Sequence, residues 1–365
     1  MDYQIKKAEL KDKAAILGFL KETFSGYWSS DQPIYIPEFW DWLYCNNPAG
    51  GAITFVAEKD GRIIGHYPNV LQYLKIDNRI FQTGLVLHLA THADYRRLGV
   101  FKSLGQASMQ ELVRSRIPFS IAFPNQKSLP GFVNRLGFFD IATLPLLVKP
   151  LKIRNILAKV TKKPGLASFL SFLLEPLYHM SFSHFKFTKK RRNIKIEMRE
   201  SFDHQFDIFW NRSMAQAKIM APRDSRYLNW RFKSRPLQDY QILAALEGEE
   251  IAGYIIIRNA EVFSLKTGII MDFFVLPGRQ EIFDALLDAA LSNLRSQDMD
   301  LCISTCFKSN IYYKALKNAG FIAVPAGFNP RKLVLVGRIN SSAVDRDLFL
   351  NKKNWFITFA DWDVF

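Results

Sequence analysis

The residues best placed to do chemistry are Arg96, Arg97, Gly99 and Lys102. They stand between an apolar run, Gly84 to Thr91, and a helical pattern over Lys102 to Arg116. The first amides of a helix have no partner inside it and carry the positive end of its dipole. A glycine there lets an anion approach the backbone, and the three cations add charge beside it. That combination suits a phosphate. The same residues alone would also make an ordinary basic turn, so the case rests on what flanks them. His88 is the one titratable side chain inside the apolar run, and an imidazole can take up a proton near neutral pH. Its plainer role is to pair with the sheet. His92, one residue past the run, is the weaker candidate.

The elements that hold these residues can be read by pattern. Gly84 to Thr91 is continuously apolar, as a strand covered on both faces would be. Leu104, Ala107, Ser108, Glu111 and Leu112 repeat with a helical period. Pro118 to Phe123 is a second buried strand, and Asn125-Gln-Lys-Ser128 leads into Gly131 to Phe138. The order is strand, turn, helix, strand, helix.

Tyr95-Arg-Arg-Leu-Gly-Val-Phe101 resembles the acyl-CoA-binding loop of the GCN5-related N-acetyltransferases (GNAT family), Arg/Gln-x-x-Gly-x-Gly/Ala. Asn125-x-x-Ser128 followed by Leu136-Gly137-Phe138 is similar to the next block of that family, in register. The resemblance implies that Arg96, Arg97, Leu98, Gly99, Val100, Phe101 and Lys102 cradle the pyrophosphate of acetyl-CoA. It further implies that Leu89, Ala90 and Thr91 offer backbone groups to the pantetheine arm, with Asn125 and Ser128 on its other side. The plainer role of Ser128 is a helix N-cap. Two positions depart from the pattern. Phe101 stands where the family has Gly or Ala, and Val133 where many members carry the tyrosine that reprotonates the thiolate.

The chain has 365 residues, 48% hydrophobic and 14% aromatic, which fits a globular protein with room for two domains. Cys45, Cys302 and Cys306 are too few for a disulfide framework, no secretory signal or membrane span is evident, and no metal is expected. A cytoplasmic location follows as the expectation. Of the net charge of +15, +10 falls within residues 149–192. Two amphipathic helical patterns lie there, one with Ile153, Ile156, Leu157 and Val160 on its stripe and one running from Leu166 to Leu177. Such stripes commonly brace two domains. Their charge also suits peripheral contact with an anionic membrane, whereas no RNA-binding signature appears.

The second half repeats the order of the first. Phe39-Trp-Asp-Trp42-Leu-Tyr44 matches Tyr227-Leu-Asn-Trp230-Arg-Phe232, and Gly84 to His88 matches Gly268 to Asp272. Carrying that offset on sets Gln280 opposite Arg96 and Phe283 opposite Gly99, so the second loop lacks the glycine, and Glu281 adds negative charge. The fold expected is α/β (α+β), two tandem acetyltransferase-like domains, each a mixed, mostly antiparallel sheet flanked by helices. Their bounds are 1–148 and 193–340, with a basic helical linker at 149–192 and a tail strand at 341–365.

The function expected is transfer of an acetyl or acyl group from acetyl-CoA to a primary amine of a small molecule, an amino sugar or a lipid-linked sugar. Catalytic candidates are His88 and the terminal carboxylate of Phe365, carried by a tail with acids among Trp and Phe. Two alternatives remain. One is an aminoacyl or peptidyl transferase using aminoacyl-tRNA, and the other a non-catalytic CoA-binding protein.

Overall fold

The computed structural model of the protein describes residues 2–24, 34–161, 194–262, 264–325, 327, 329 and 332–362. The first half runs β1 (Gln4–Lys7), α1 (Lys13–Phe24), α2 (Pro37–Trp40), β2 (Ala52–Lys59), β3 (Arg62–Ile76), β4 (Arg79–Val86), β5 (Ala90–Thr91), α3 (Val100–Arg114), β6 (Phe119–Ala122), α4 (Leu129–Leu136), β7 (Phe139–Leu144), β8 (Leu146–Pro150) and α5 (Ile153–Thr161). The second runs β9 (Ile194–Arg199), α6 (His204–Ser213), β10 (Ile219–Met220), α7 (Ser225–Phe232), β11 (Gln241–Glu247), β12 (Glu250–Val262), β13 (Leu265–Val275), α8 (Gln280–Ser296), β14 (Leu301–Thr305), α9 (Ile311–Asn318), β15 (Ile322–Ala323), β16 (Leu333–Ile339) and α10 (Arg346–Leu350).

Local chemistry sets the hairpins and helix ends. Asp60 and Gly61 both take positive φ, 50° and 73°, the tight turn that suits the twist of β2 and β3. The aromatic helix α2 widens into a π turn over Asp41–Cys45. Asn47 then stops it, its amide donating to the carbonyls of Leu43 and Gly51. Gly65 on β3 lets α3 lie close, because a Cβ there would come within 2.7 Å of Val100.

The two sheets are built alike and exchange strands. The first is ordered β1-β2-β3-β4-β6-β16-β7, and the second β15-β8-β14-β13-β12-β11-β9. β16, from the second half, lies between β6 and β7, antiparallel to both. β8, from the first half, lies between β14 and β15 in the same manner. The expected bounds at 148 and 340 therefore do not separate the sheets: residues 1–148 and 193–340 each give a strand to the other. Lys149, expected with the basic surface, is buried in β8, and its ammonium donates to the carbonyl of Ala319 at 2.7 Å.

Trp42 and Trp230, matched above as repeat equivalents, touch. Their rings stack with centroids 4.9 Å apart, and each indole N–H donates to the other's carbonyl, at 2.8 and 3.0 Å. A contact between equivalent residues that is the same in both directions marks a pseudo-two-fold axis. One apolar core is continuous from α1 and α2 through β4 to β12 and β13, and a smaller one lies under α3 and α4.

The tail differs from the expected strand. Residues 355–362 are buried, yet they form an isolated bridge at Trp355 and a 3-10 turn at Phe359–Asp361, capped by Thr358 and Asp361. Phe365 and residues 162–193, including the basic run 189–192, lie outside the described residues. No helix among the described residues is long and apolar enough to cross a membrane.

Candidate active site

The first sheet opens where the sequence placed its chemistry. β4 and β6 pair in parallel from Gly84–Ser120 to Val86–Ala122 and then part. Beyond the parting the chain turns at His88, whose φ is 42°, and β5 pairs only with β3, Gly65 to Thr91 and His66 to Ala90. The N–H of His92 donates to Ile64 on the β3 side. Alternation along a strand then turns the N–H of Thr91 away from β3, toward the gap. The gap is thus edged by backbone groups on the β5 side and by Phe123 to Asn125 on the other.

The start of α3 stands at one end of this gap. Gly99 caps α3 with φ 84°, a left-handed conformation that favours glycine, and Arg97 before it also has positive φ, 68°. Arg96, Arg97 and Lys102 are exposed, with no ion-pair partner among the described residues. Phe101 does not cover the start of α3. Its ring turns inward, near Tyr67 and Phe132, into space left by Gly131, where a Cβ would lie 2.6 Å from it. The departure from Gly or Ala at this position is absorbed by a glycine on the neighbouring helix.

His88 lies on the opposite face of the gap from α3. Its Nδ1 is 3.0 Å from the Tyr44 hydroxyl, and its ring is close to Phe39. His66 holds the turn from below. A carbonyl can only accept, so the 3.1 Å contact with the His88 carbonyl assigns the proton to Nδ1 of His66. Burial lowers the His66 pKa to about 3, and it stays neutral at ordinary pH. His92 instead caps a short turn and approaches Glu22.

Asn125 and Ser128 are less free than expected. The Asn125 side-chain carbonyl accepts from the backbone N–H of Lys127 and Ser128, at 2.9 and 3.0 Å, and so forms the turn before α4. Val133 sits on α4, exposed.

The second half has the same parting in a closed state. β13 and β14 pair only from Thr267–Leu301 to Ile269–Ile303. Gly253 pairs with Val275 as Gly65 pairs with Thr91, so Val275 is the equivalent of Thr91. Its N–H, the one that would face a ligand, donates to the Tyr312 hydroxyl at 3.1 Å. Phe273, Tyr312 and Phe356 fill the space. The helix that follows starts at Gln280 with Arg279 as its cap, φ −99°. Gly99 therefore corresponds to Arg279 and not to Phe283, because the second loop is shorter. Arg279 is paired with Glu247 and Glu281, which also lie at that helix start.

A buried charge cluster, missed in the sequence, joins this closed gap to the tail. Arg223 binds Asp272 at 2.9 Å and Asp361 at 2.8 Å, all three side chains being nearly inaccessible. Asp272 is the repeat equivalent of His88, a lone carboxylate in an apolar strand, and that was its available signal. The tail ends its described course at Trp362, whose ring stacks on Phe123 with centroids 5.2 Å apart. Trp362 and Phe123 belong to the same apolar core as Phe39 and Tyr44, the neighbours of His88.

A parted sheet beside a glycine-capped helix is the arrangement that the resemblance of Tyr95 to Phe101 implied. Residues 4–141 match the family described as acetyltransferase (GNAT) domain. The first half of the chain therefore carries a GNAT-type domain. A GCN5-related N-acetyltransferase from Anabaena variabilis is similar at 12% identity and a TM-score of 0.62, over 93% of this chain and 73% of that one. A probable N-acyltransferase of Enterococcus faecalis is 11% identical with a TM-score of 0.63, over the same shares. A tandem GNAT protein from the clavulanic acid biosynthesis pathway is 11% identical with a TM-score of 0.58, over 94% of this chain and all of that one. At such identities the likeness speaks to the fold. No curated protein matches the chain.

Proposed function

We propose that the first half binds acetyl-CoA and transfers its acetyl group to a primary amine of a small molecule or amino sugar. The single observation that carries this reading is the open gap after Val86 and Ala122, next to the Gly99-capped helix with its exposed cations. The pyrophosphate would rest on the amides from Arg97 to Lys102, and the pantetheine arm along Leu89 to Thr91. This brings the thioester beside His88. The amine then approaches from the other face, lined by Phe39, Tyr44, His88, Phe123 and Trp362, an aromatic wall that suits the apolar face of a ring.

The amine nitrogen attacks the thioester carbon, a C–N bond forms, and the C–S bond breaks. The ammonium proton passes to His88, directly or through water. The leaving sulfur needs no dedicated acid, since a thiol with a pKa of ~8.5 leaves as thiolate near neutral pH, which removes the difficulty posed by Val133. Catalysis is then mainly positioning.

The test is release of free thiol from acetyl-CoA with glucosamine, tyramine, spermidine and a peptide amino terminus as acceptors. Turnover is expected with at least one, and His88→Ala should lower kcat by ~100-fold while CoA affinity holds within ~3-fold. Binding of CoA with no thiol release for any of these amines would favour the non-catalytic reading.

A further inference from the structure

The second half has a closed gap, yet it keeps a set of buried charges that no catalytic step needs. Arg223 lies fully buried between Asp272 of β13 and Asp361 of the tail. Its guanidinium meets both carboxylates two-pronged: Nε and Nη2 donate to Asp272 at 2.9 and 3.3 Å, Nη1 and Nη2 to Asp361 at 2.9 and 2.8 Å. The remaining acceptor positions are also used. Tyr254 and Thr358 hydroxyls donate to Asp272 at 2.8 and 2.7 Å, and the Thr358 N–H donates to Asp361 at 2.9 Å. Arg231, buried as well, donates to the carbonyls of Ala360 and Trp362 at 2.9 and 3.0 Å. Two arginines and two aspartates balance.

Such a cluster is a poor way to gain stability, because apolar residues of like size commonly do as well without losing hydration. What it supplies is geometry, since planar two-pronged pairing fixes direction as well as distance. The element so fixed is the tail. Phe356 lies in the closed gap of the second half, and Trp362 stacks on Phe123 at the open gap of the first.

We propose that Arg223, Asp272 and Asp361 are positioning residues that hold Trp362 as a wall of the acceptor site, the second half serving as socket for the tail. Asp272, at the repeat position of His88, has exchanged a place beside a thioester for a place in this anchor. The proposal rests on the acyl-transfer reading above for its kinetic consequence, but its structural claim stands apart from it.

Two variants test it in the full chain. Trp362→Ala leaves the anchor and removes the wall. Asp361→Asn weakens the anchor and leaves the wall residue. With glucosamine or tyramine, whichever turns over faster, Trp362→Ala should raise the acceptor KM at least 10-fold, with acetyl-CoA affinity within 3-fold of the parent. Asp361→Asn should show the same split, and its amide hydrogen exchange should speed up at residues 355–362 and at 87–89 and 123, across the gap. A merely structural cluster would lower thermal stability with no KM shift and no change in exchange at 87–89. Should Asp361→Asn fail to fold, Trp362→Ala carries the kinetic test alone. Failure of the parent to turn over any amine would count against the acyl-transfer reading, and the exchange experiment would still decide the anchor. Unchanged exchange at both stretches in Asp361→Asn, or an unchanged acceptor KM in Trp362→Ala, overturns the proposal.

Discussion

Thr91 and Val275 occupy the same place in two copies of one plan, each at the edge of a strand that has left its parallel neighbour. After Thr91 the chain spends residues 92–99 reaching a left-handed glycine and three exposed cations. After Val275 it spends only residues 276–279 and begins the helix on an arginine already paired with Glu247 and Glu281. The gap beyond Thr91 is edged by backbone and aromatic rings, whereas the one beyond Val275 is filled by Tyr312 and Phe356. The difference teaches how a repeat divides its labour. A few residues of loop and the rings of Tyr312 and Phe356 separate the open gap from the filled one, while the sheets stay alike.

The sharpest way to break this comparison is at the two helix starts. Gly99→Glu puts a carboxylate and a strained left-handed residue in the cradle, and should weaken acetyl-CoA binding by ~100-fold or more, measured by calorimetry. The next effect concerns the filled gap. Phe356→Ala should cost ~3–5 kcal/mol of stability in a denaturant titration and should not create a second CoA site, because Tyr312 still occupies the Val275 amide.

The strand exchange gives a pH-dependent test. Burial lowers the Lys149 pKa to about 8 from 10.5. Between those values the unfolded chain holds the proton and the folded one releases it, so stability should rise as pH climbs, by up to ~3 kcal/mol. Lys149→Met should be flat over that window and more stable at pH 7. The open gap has a counterpart of the same sign at lower pH. His66 is lowered from 6.5 to about 3, so the unfolded chain gains a proton that the folded one refuses. Stability should fall as pH drops through that range, by ~1.4 kcal/mol per pH unit, and His66→Gln should remove the slope. The smallest effect belongs to the second loop: Arg279→Gln should leave CoA binding within ~3-fold.

Much of this was legible in the sequence, for identifiable reasons. Gly99 and its arginines follow a buried strand, and local chemistry alone marks a helix start there. Trp42 and Trp230 sit at equivalent points of two similar motifs, which predicted the repeat although not their contact. What could not be read is relational. Leu146–Pro150 and Leu333–Ile339 are short apolar runs that fit the same slot in either sheet, so pattern gives no choice between staying and exchanging. The second helix start was misplaced because a fixed offset was carried across a loop that had shortened. Arg223 is one cation among 49 basic residues, and only the lone Asp272 within an apolar strand hinted that a buried partner existed. The tail reads as a strand by its alternation of Phe and Trp, but Thr358 and Asp361 close a capping turn on each other and bend it.

The central claim is that one copy of the repeat holds the cofactor and the other does not. Titration calorimetry of the full chain with acetyl-CoA tests it most directly, read as stoichiometry in the native protein, in Gly99→Glu and in Arg279→Gln. The account predicts one molecule bound per chain in the native protein and in Arg279→Gln, and none in Gly99→Glu. Two molecules per chain, or binding that survives Gly99→Glu and disappears in Arg279→Gln, would contradict it.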